Sequence, residues 1–176
     1  MVSKRLIVSL IFIFVSSFSR AQLVKIDSET GEHKYDAVVP ADGLASAQLL
    51  SRAKKWADAY DPDTDSKLDS TTAVKSVCTY KFSWKMGSKT IPTTLIYDLD
   101  IKVKDNRYRY IYSNFRVGSN VMGEVQAISL AKYISRFPER YHMGIEEPID
   151  THITKGISSL DNYIKTEKMV VEDDNW

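Results

Sequence analysis

The chain has 176 residues, 24 Lys+Arg against 23 Asp+Glu for a formal net charge of +1, 43% hydrophobic and 11% aromatic residues, and one cysteine. That length suits one domain with a real core, and the composition is that of an ordinary globular protein, which excludes collagen-like and disordered classes. Near-neutral charge argues against a dedicated nucleic-acid binder, which normally carries a strong basic excess.

Residues 1–21 read as a secretory signal peptide: Lys4 and Arg5 form a positive start, residues 6–18 an apolar run, and Ser19-Arg20-Ala21 a small-x-small end with cleavage after Ala21. A membrane-spanning helix needs about 20 apolar residues, more than this run supplies. Removal of the segment takes Lys4, Arg5 and Arg20 but no acid, leaving 155 residues with 21 basic and 23 acidic groups, a net charge of −2. The expected mature chain, residues 22–176, is one exported domain with no transmembrane anchor, in the periplasm or outside the cell. Cys78 has no partner for an intramolecular disulfide, and 155 residues bury enough surface to fold without one.

In the mature chain, residues 33–39 alternate as a strand with Tyr35, Ala37 and Val39 inward, and Pro40 ends it. Asp42 offers an N-cap for a helix over residues 44–60, with Leu49, Ala53, Trp56, Ala57 and Tyr60 on the apolar stripe and Arg52, Lys54, Lys55 and Asp58 on the other face. A strong alternation follows. Val74, Cys78, Tyr80, Phe82, Trp84 and Met86 share one parity; Lys75, Thr79, Lys81, Ser83 and Lys85 share the other. This parity makes Cys78 a buried apolar cysteine rather than a reactive one.

After a turn at Gly87-Ser88, Leu95, Tyr97, Leu99, Ile101 and Val103 form a second apolar set, and Asp105-Asn106 reads as a two-residue hairpin turn. Pairing Lys104 with Arg107 then sets Val103, Ile101 and Leu99 opposite Tyr108, Tyr110 and Tyr112, apolar against aromatic on one face. Residues 120–137 carry a helical stripe of Ala127, Leu130, Ala131, Ile134 and Phe137, inside a connector over 119–148 whose Pro138, Gly144 and Pro148 suggest irregular structure. Ile149, Ile153, Ile157, Leu160 and Ile164 predict a C-terminal helix over 149–167 despite Gly156, followed by an acidic tail, 168–176.

This order of elements, with Leu50-Ser51-Arg52-Ala53-Lys54-Lys55-Trp56 on the helix, the hairpin from Lys104-Asp105-Asn106-Arg107-Tyr108 to Asn114-Phe115, and Asp174-Asn175-Trp176 at the end, resembles a family of unknown function. That family has a TATA-binding-protein-like fold and occurs in exported proteins of Gram-negative bacteria. The resemblance covers roughly residues 35–117 and implies an α+β architecture: a curved antiparallel sheet with helices packed on one face. It carries over no functional residue, because the family has no assigned site. The fold name does not imply nucleic acid, since an exported chain of charge −2 has neither the compartment nor the field for it.

Four constellations suggest chemistry, each with a bland rival. Asp61, Asp63, Asp65 and Asp69 have the spacing of calcium ligands at loop positions 1, 3, 5 and 9, but Ser66 replaces the turn glycine and Thr72 the bidentate acid, so a solvated loop competes. His142, Glu146, Asp150 and His152 are a zinc-compatible set without a standard spacing. Ser51-Arg52-Ala53-Lys54 spells S-x-x-K, but the companion motifs of acylating serine enzymes are missing, and no other nucleophile, metalloprotease or phosphate-loop signature occurs.

Last, Lys102, Lys104, Arg107 and Arg109 share the face opposite the core, beside Asp98 and Asp100, with Lys75, Lys81 and Lys85 on the matching face of the preceding strand. Such a face could hold an anion; charges that keep an exposed sheet from edge pairing are its rival explanation. No catalytic residue and no cofactor is implied. The expected function is a non-catalytic binding or envelope-interaction module for an unknown ligand or envelope protein. The alternative is a periplasmic hydrolase with its site between the sheet and residues 120–148.

Overall fold

The computed structural model describes residues 25–26, 32–60, 67–70, 72–121 and 124–166. Residues 1–21, read above as a signal peptide, the loop residues Asp61, Asp63 and Asp65, and residues 168–176 lie outside the described residues. Seven strands form one antiparallel sheet: β1 Lys25–Ile26, β2 His33–Pro40, β3 Lys67–Ser70, β4 Ala73–Met86, β5 Lys89–Lys104, β6 Arg107–Val121 and β7 Glu124–Ser129. The spatial order is β1-β2-β6-β5-β4-β3, with β7 paired to β6 beyond the end of β2. Asp69 therefore lies in strand β3, the calcium set's one described member.

The β5–β6 hairpin has the register that apolar matching predicts: Lys104 pairs with Arg107, Val103 with Tyr108, Ile101 with Tyr110 and Leu99 with Tyr112. Of the turn pair Asp105-Asn106 it is Asn106 that takes the left-handed conformation (φ 62°), and in the turn between β4 and β5 it is the first residue, Gly87 (φ 63°), as a type II′ turn favours. The alternation changes phase once. Between Ile96 and Asp98 the register shifts, so that Asn114 (φ 55°) is an extra residue on β6. It moves the inward set from Tyr108, Tyr110 and Tyr112 to Phe115 and Val117, all of which are buried. Asp98 clamps this bulge: its carboxylate accepts from Asn114 Nδ2 at 2.8 Å and from Arg116 at 3.0 Å. A bulge bends the strand and increases its twist, giving the sheet its curvature.

Helices cover the inner face. α1 is Ser46–Tyr60, two residues shorter than expected, and Asp42 is not its cap. The Ser46 N–H donates to Asp105 Oδ1 and the Gly43 N–H to Asn106 Oδ1, both at 2.8 Å. The hairpin turn thus satisfies the helix start from across the fold, with an aspartate where the dipole favours one. Arg52, placed by periodicity on the wet side, is buried, and its guanidinium donates to the Ile164 carbonyl in the last turn of the C-terminal helix. A long stem can cross apolar surface to reach an unpaired helix-end carbonyl, which a hydropathy pattern does not record.

Two expectations for the second half need correction. The 120–137 helix is mostly a strand pair: β6 continues to Val121, β7 returns with Ile128 opposite Val117, and only α2, Leu130–Ile134, is helical. Ser129 starts α2, its hydroxyl accepting from the Lys132 N–H at 3.3 Å. The 119–148 connector is likewise shorter, because α3 runs from His142 to Thr166 with Pro148 inside it. Pro148 forfeits a bond to the carbonyl of Gly144, which lies on an exposed turn. The stripe of Ile149, Ile153, Leu160 and Ile164 is buried as predicted, joined by Ile145 and Gly156. These side chains close the core against Leu49, Ala53 and Trp56 of α1 and the inward residues of β5 and β6. Cys78 sits within it, 1% exposed.

Candidate functional site

Among the described residues no helix lies on the outer face of the sheet, and the sequence-predicted cations Lys102, Lys104, Arg107 and Arg109 come together there. Two in-register pairs stand side by side at the turn end of the β5–β6 hairpin: Lys104 opposite Arg107, then Lys102 opposite Arg109. Like charges directly opposite one another destabilise an antiparallel ladder, so this arrangement has a local cost. Across them lies an open hollow of about 640 Å³, lined by Lys75, Lys102, Lys104, Arg107 and Arg109 together with Val38, Thr72 and Ala73. Val38, 59% exposed, supplies an apolar wall from β2, and Ala73, opposite Lys102 on β4, leaves the floor low.

The five cations are not equivalent. Arg109 is committed to Asp36 of β2 through two hydrogen bonds, Nε to Oδ1 at 2.7 Å and Nη2 to Oδ2 at 2.5 Å. Arg109's hydrogen bonds, with Lys34 at 3.4 Å assisting, hold the Asp36 carboxyl below the usual aspartate value. Lys75 lies opposite Asp100. Lys102, Lys104 and Arg107 have no hydrogen-bond or ion-pair partner among the described residues. Asp98, expected beside the patch, is spent on the bulge, and Lys81 and Lys85 lie farther along the sheet, opposite Thr94 and Thr90. The Asp36 contribution was invisible in the sequence, because it depends on β2 pairing with β6 across more than 70 residues.

The zinc-compatible set is dispersed along α3, and sheet tyrosines take up two of its four members, Asp150 and His152. Tyr35 donates to Asp150 at 3.1 Å, Tyr108 to Asp161 at 2.9 Å, and the Tyr97 hydroxyl hydrogen-bonds His152 Nε2 at 2.9 Å. Glu146 meets His33 at 3.3 Å, while His142 turns to the Phe137 carbonyl at 2.9 Å. No group of three metal-ligating side chains converges among the described residues. Burial, with the Asp150 and Asp161 carboxylates beside Tyr35 and Tyr108, pushes those hydroxyls far above the ordinary tyrosine value, and burial takes Tyr110 up to about 12. These tyrosines stay neutral and fix α3 on the sheet. Ser51 of the S-x-x-K segment lies exposed on α1.

Between the sheet and Tyr133 and Phe137, part of the region where the alternative reading places a hydrolytic site, aromatic side chains pack together. Trp84 packs edge-on against Phe137 with centroids 4.8 Å apart and donates to the Tyr133 hydroxyl at 3.2 Å. Thr93 reaches the same hydroxyl at 3.4 Å.

Residues 35–117 match the family model described as Domain of unknown function (DUF4468) with TBP-like fold. The chain resembles the DUF4468 family. The matched stretch runs from β2 to β6 and contains every residue lining the outer hollow. A solved structure of a DUF4468 family protein from Bacteroides ovatus is similar with a TM-score of 0.60 at 10% identity, covering 85% of this chain and 95% of the other. A TBP-like protein from Parabacteroides distasonis is similar with a TM-score of 0.53 at 12% identity, covering 80% of this chain and 97% of the other. At such identities the likeness shows the fold, an α+β arrangement of the TBP-like kind, and extends past the DUF4468 match into the helices that follow it. No curated protein matches the chain. Among the described residues no helix is long and apolar enough to cross a membrane.

Proposed function

We propose that the protein is an exported, non-catalytic binding module whose outer sheet face takes an anionic ligand at Lys102, Lys104 and Arg107. The observation that carries this reading is the pair of like-charge rows at the head of the β5–β6 hairpin, of which only Arg109 has an acidic partner among the described residues. A face charged only for solubility would intersperse the two signs, as β4 and β5 do where Lys75 faces Asp100. Cations concentrated over a hollow of small-molecule size have a use that scattered ones lack. Export rests on the signal-like pattern of residues 1–21 and leads to the periplasm or beyond.

The test is retention on an anionic glycan matrix and on anionic phospholipid vesicles at low ionic strength. Replacing Lys102, Lys104, Arg107 and Arg109 together with Ser should abolish retention while leaving the fold intact, since all four are exposed. Unchanged retention, or none by the natural protein, defeats the reading.

A further inference from the structure

We infer that the ligand of the outer face is a phosphate monoester, held by Lys102, Lys104 and Arg107 with its body lying in the hollow toward Val38 and Ala73. This rests on the anion-binding reading above and narrows it. Lys104 and Arg107 are direct cross-strand neighbours, with Cβ atoms about 5 Å apart, and Lys102 follows two residues along β5, a step of about 7 Å. The three side chains are therefore close enough to converge on one group. Because Arg109 spends its Nε and Nη2 edge on Asp36, whose carboxylate offsets its charge, it is not counted among the three.

The charge count selects the anion. A carboxylate carries one charge and matches one guanidinium fork; it would leave two lysines repelling each other. A phosphate monoester carries about −1.5 to −2 at neutral pH and three terminal oxygens, enough for the Arg107 fork and two ammonium groups. A phosphodiester has one charge and two free oxygens, and falls short for the same reason as a carboxylate. The hollow of about 640 Å³ continues from the cations over Thr72 and Ala73 to the exposed Val38, so it admits whatever the phosphate is attached to.

The experiment is a calorimetric titration of the purified protein at low ionic strength with inorganic phosphate, glycerol phosphate and acetate. Alongside it runs co-sedimentation with vesicles containing either phosphatidic acid, a monoester lipid, or phosphatidylglycerol, a diester. Glycerol phosphate should bind at least tenfold more tightly than acetate, and Lys104→Ser/Arg107→Ser should lose at least tenfold in affinity with an unchanged urea midpoint. Lys81→Ser/Lys85→Ser, on the same face but outside the hollow, should bind as the natural protein does. Binding of glycerol phosphate without sedimentation on phosphatidic acid assigns a soluble ligand, and both together assign a lipid headgroup; either supports the inference. Equal binding of acetate and glycerol phosphate overturns it. Retention on the glycan matrix that depends on these cations but is not competed by phosphate also overturns it, leaving the broader anion-binding reading standing. No binding to any anion overturns both.

Discussion

At Gly156, side chains of α1 and of the sheet press against α3, so Gly156→Ala measures that approach. A Cβ there would lie 2.5 Å from the Tyr60 hydroxyl oxygen, 3.0 Å from Tyr60 Cζ and 3.2 Å from the Tyr112 hydroxyl. The Tyr60 ring cannot swing away freely, because it stacks on Trp56 with centroids 4.5 Å apart and its hydroxyl lies 3.3 Å from His152 Nε2. Overpacking at such a contact costs about 1–3 kcal/mol, and displacing Tyr60 forfeits a hydrogen bond worth about 1 kcal/mol. Against these stands a gain of about 1 kcal/mol from the better helix propensity of alanine. The net expectation is a loss of about 2 kcal/mol, or a fall in Tm of about 4–8 °C for a chain of this size. Urea unfolding gives the number. Tyr60→Phe removes the atom at the shortest contact, so the double variant should lose about 1 kcal/mol less than the sum of the singles. A Gly156→Ala protein as stable as the natural one, or stabilised as at an exposed helix position, would refute the close approach.

Three further expectations follow from the polar groups that position the elements. Tyr112→Phe should be neutral or slightly stabilising, because the Tyr112 hydroxyl is buried without a hydrogen-bond partner among the described residues. Tyr97→Phe, which removes the bond to His152, should cost about 1 kcal/mol in urea unfolding. Asp105→Ala should lower stability at neutral pH, since Asp105 accepts from the Ser46 N–H at the start of α1. That backbone hydrogen bond lowers the Asp105 pKa, so its contribution is present above the unfolded aspartate value, about 3.9, and is lost as pH falls through the lower folded value. The stability gap between natural and variant proteins should therefore be full at pH 6 and close at the acid end of a pH series of urea melts.

The parts of the fold that were legible in the sequence are those in which a local pattern coincides with tertiary burial. The β5–β6 register could be read because Val103, Ile101 and Leu99 face tyrosines across a turn of only two residues. The α3 stripe was legible for the same reason, its isoleucines all meeting one surface. The misreadings arise where a distant partner decides the local state. Residues 120–121 and 124–129 became strand because β6 offered an open edge beyond β2, and the helical stripe is realised only after the Ser129 cap, in α2. Asn114 reverses the strand phase through a conformation that its neighbours do not announce. Arg52 is buried because the end of α3 supplies an acceptor 112 positions later.

Much of the candidate site was legible too. Lys102, Lys104, Arg107 and Arg109 were placed on one face by parity alone, and the register confirms that placement. The division of labour among them was not, because Asp36 reaches Arg109 only through the β2–β6 pairing. Of the zinc-compatible set, Asp150 and His152 are taken up by the tyrosines beneath them, which periodicity shows as apolar positions without showing their hydroxyls.

The central claim is that the outer sheet face binds an anion, and mapping amide chemical shifts during a titration with inorganic phosphate tests it most directly. The account predicts saturable shifts confined to residues 102–109 and their neighbours Val38, Thr72, Ala73 and Lys75, with α3 unmoved. Saturable shifts on the helical side of the molecule instead, or none anywhere at millimolar phosphate, would contradict it.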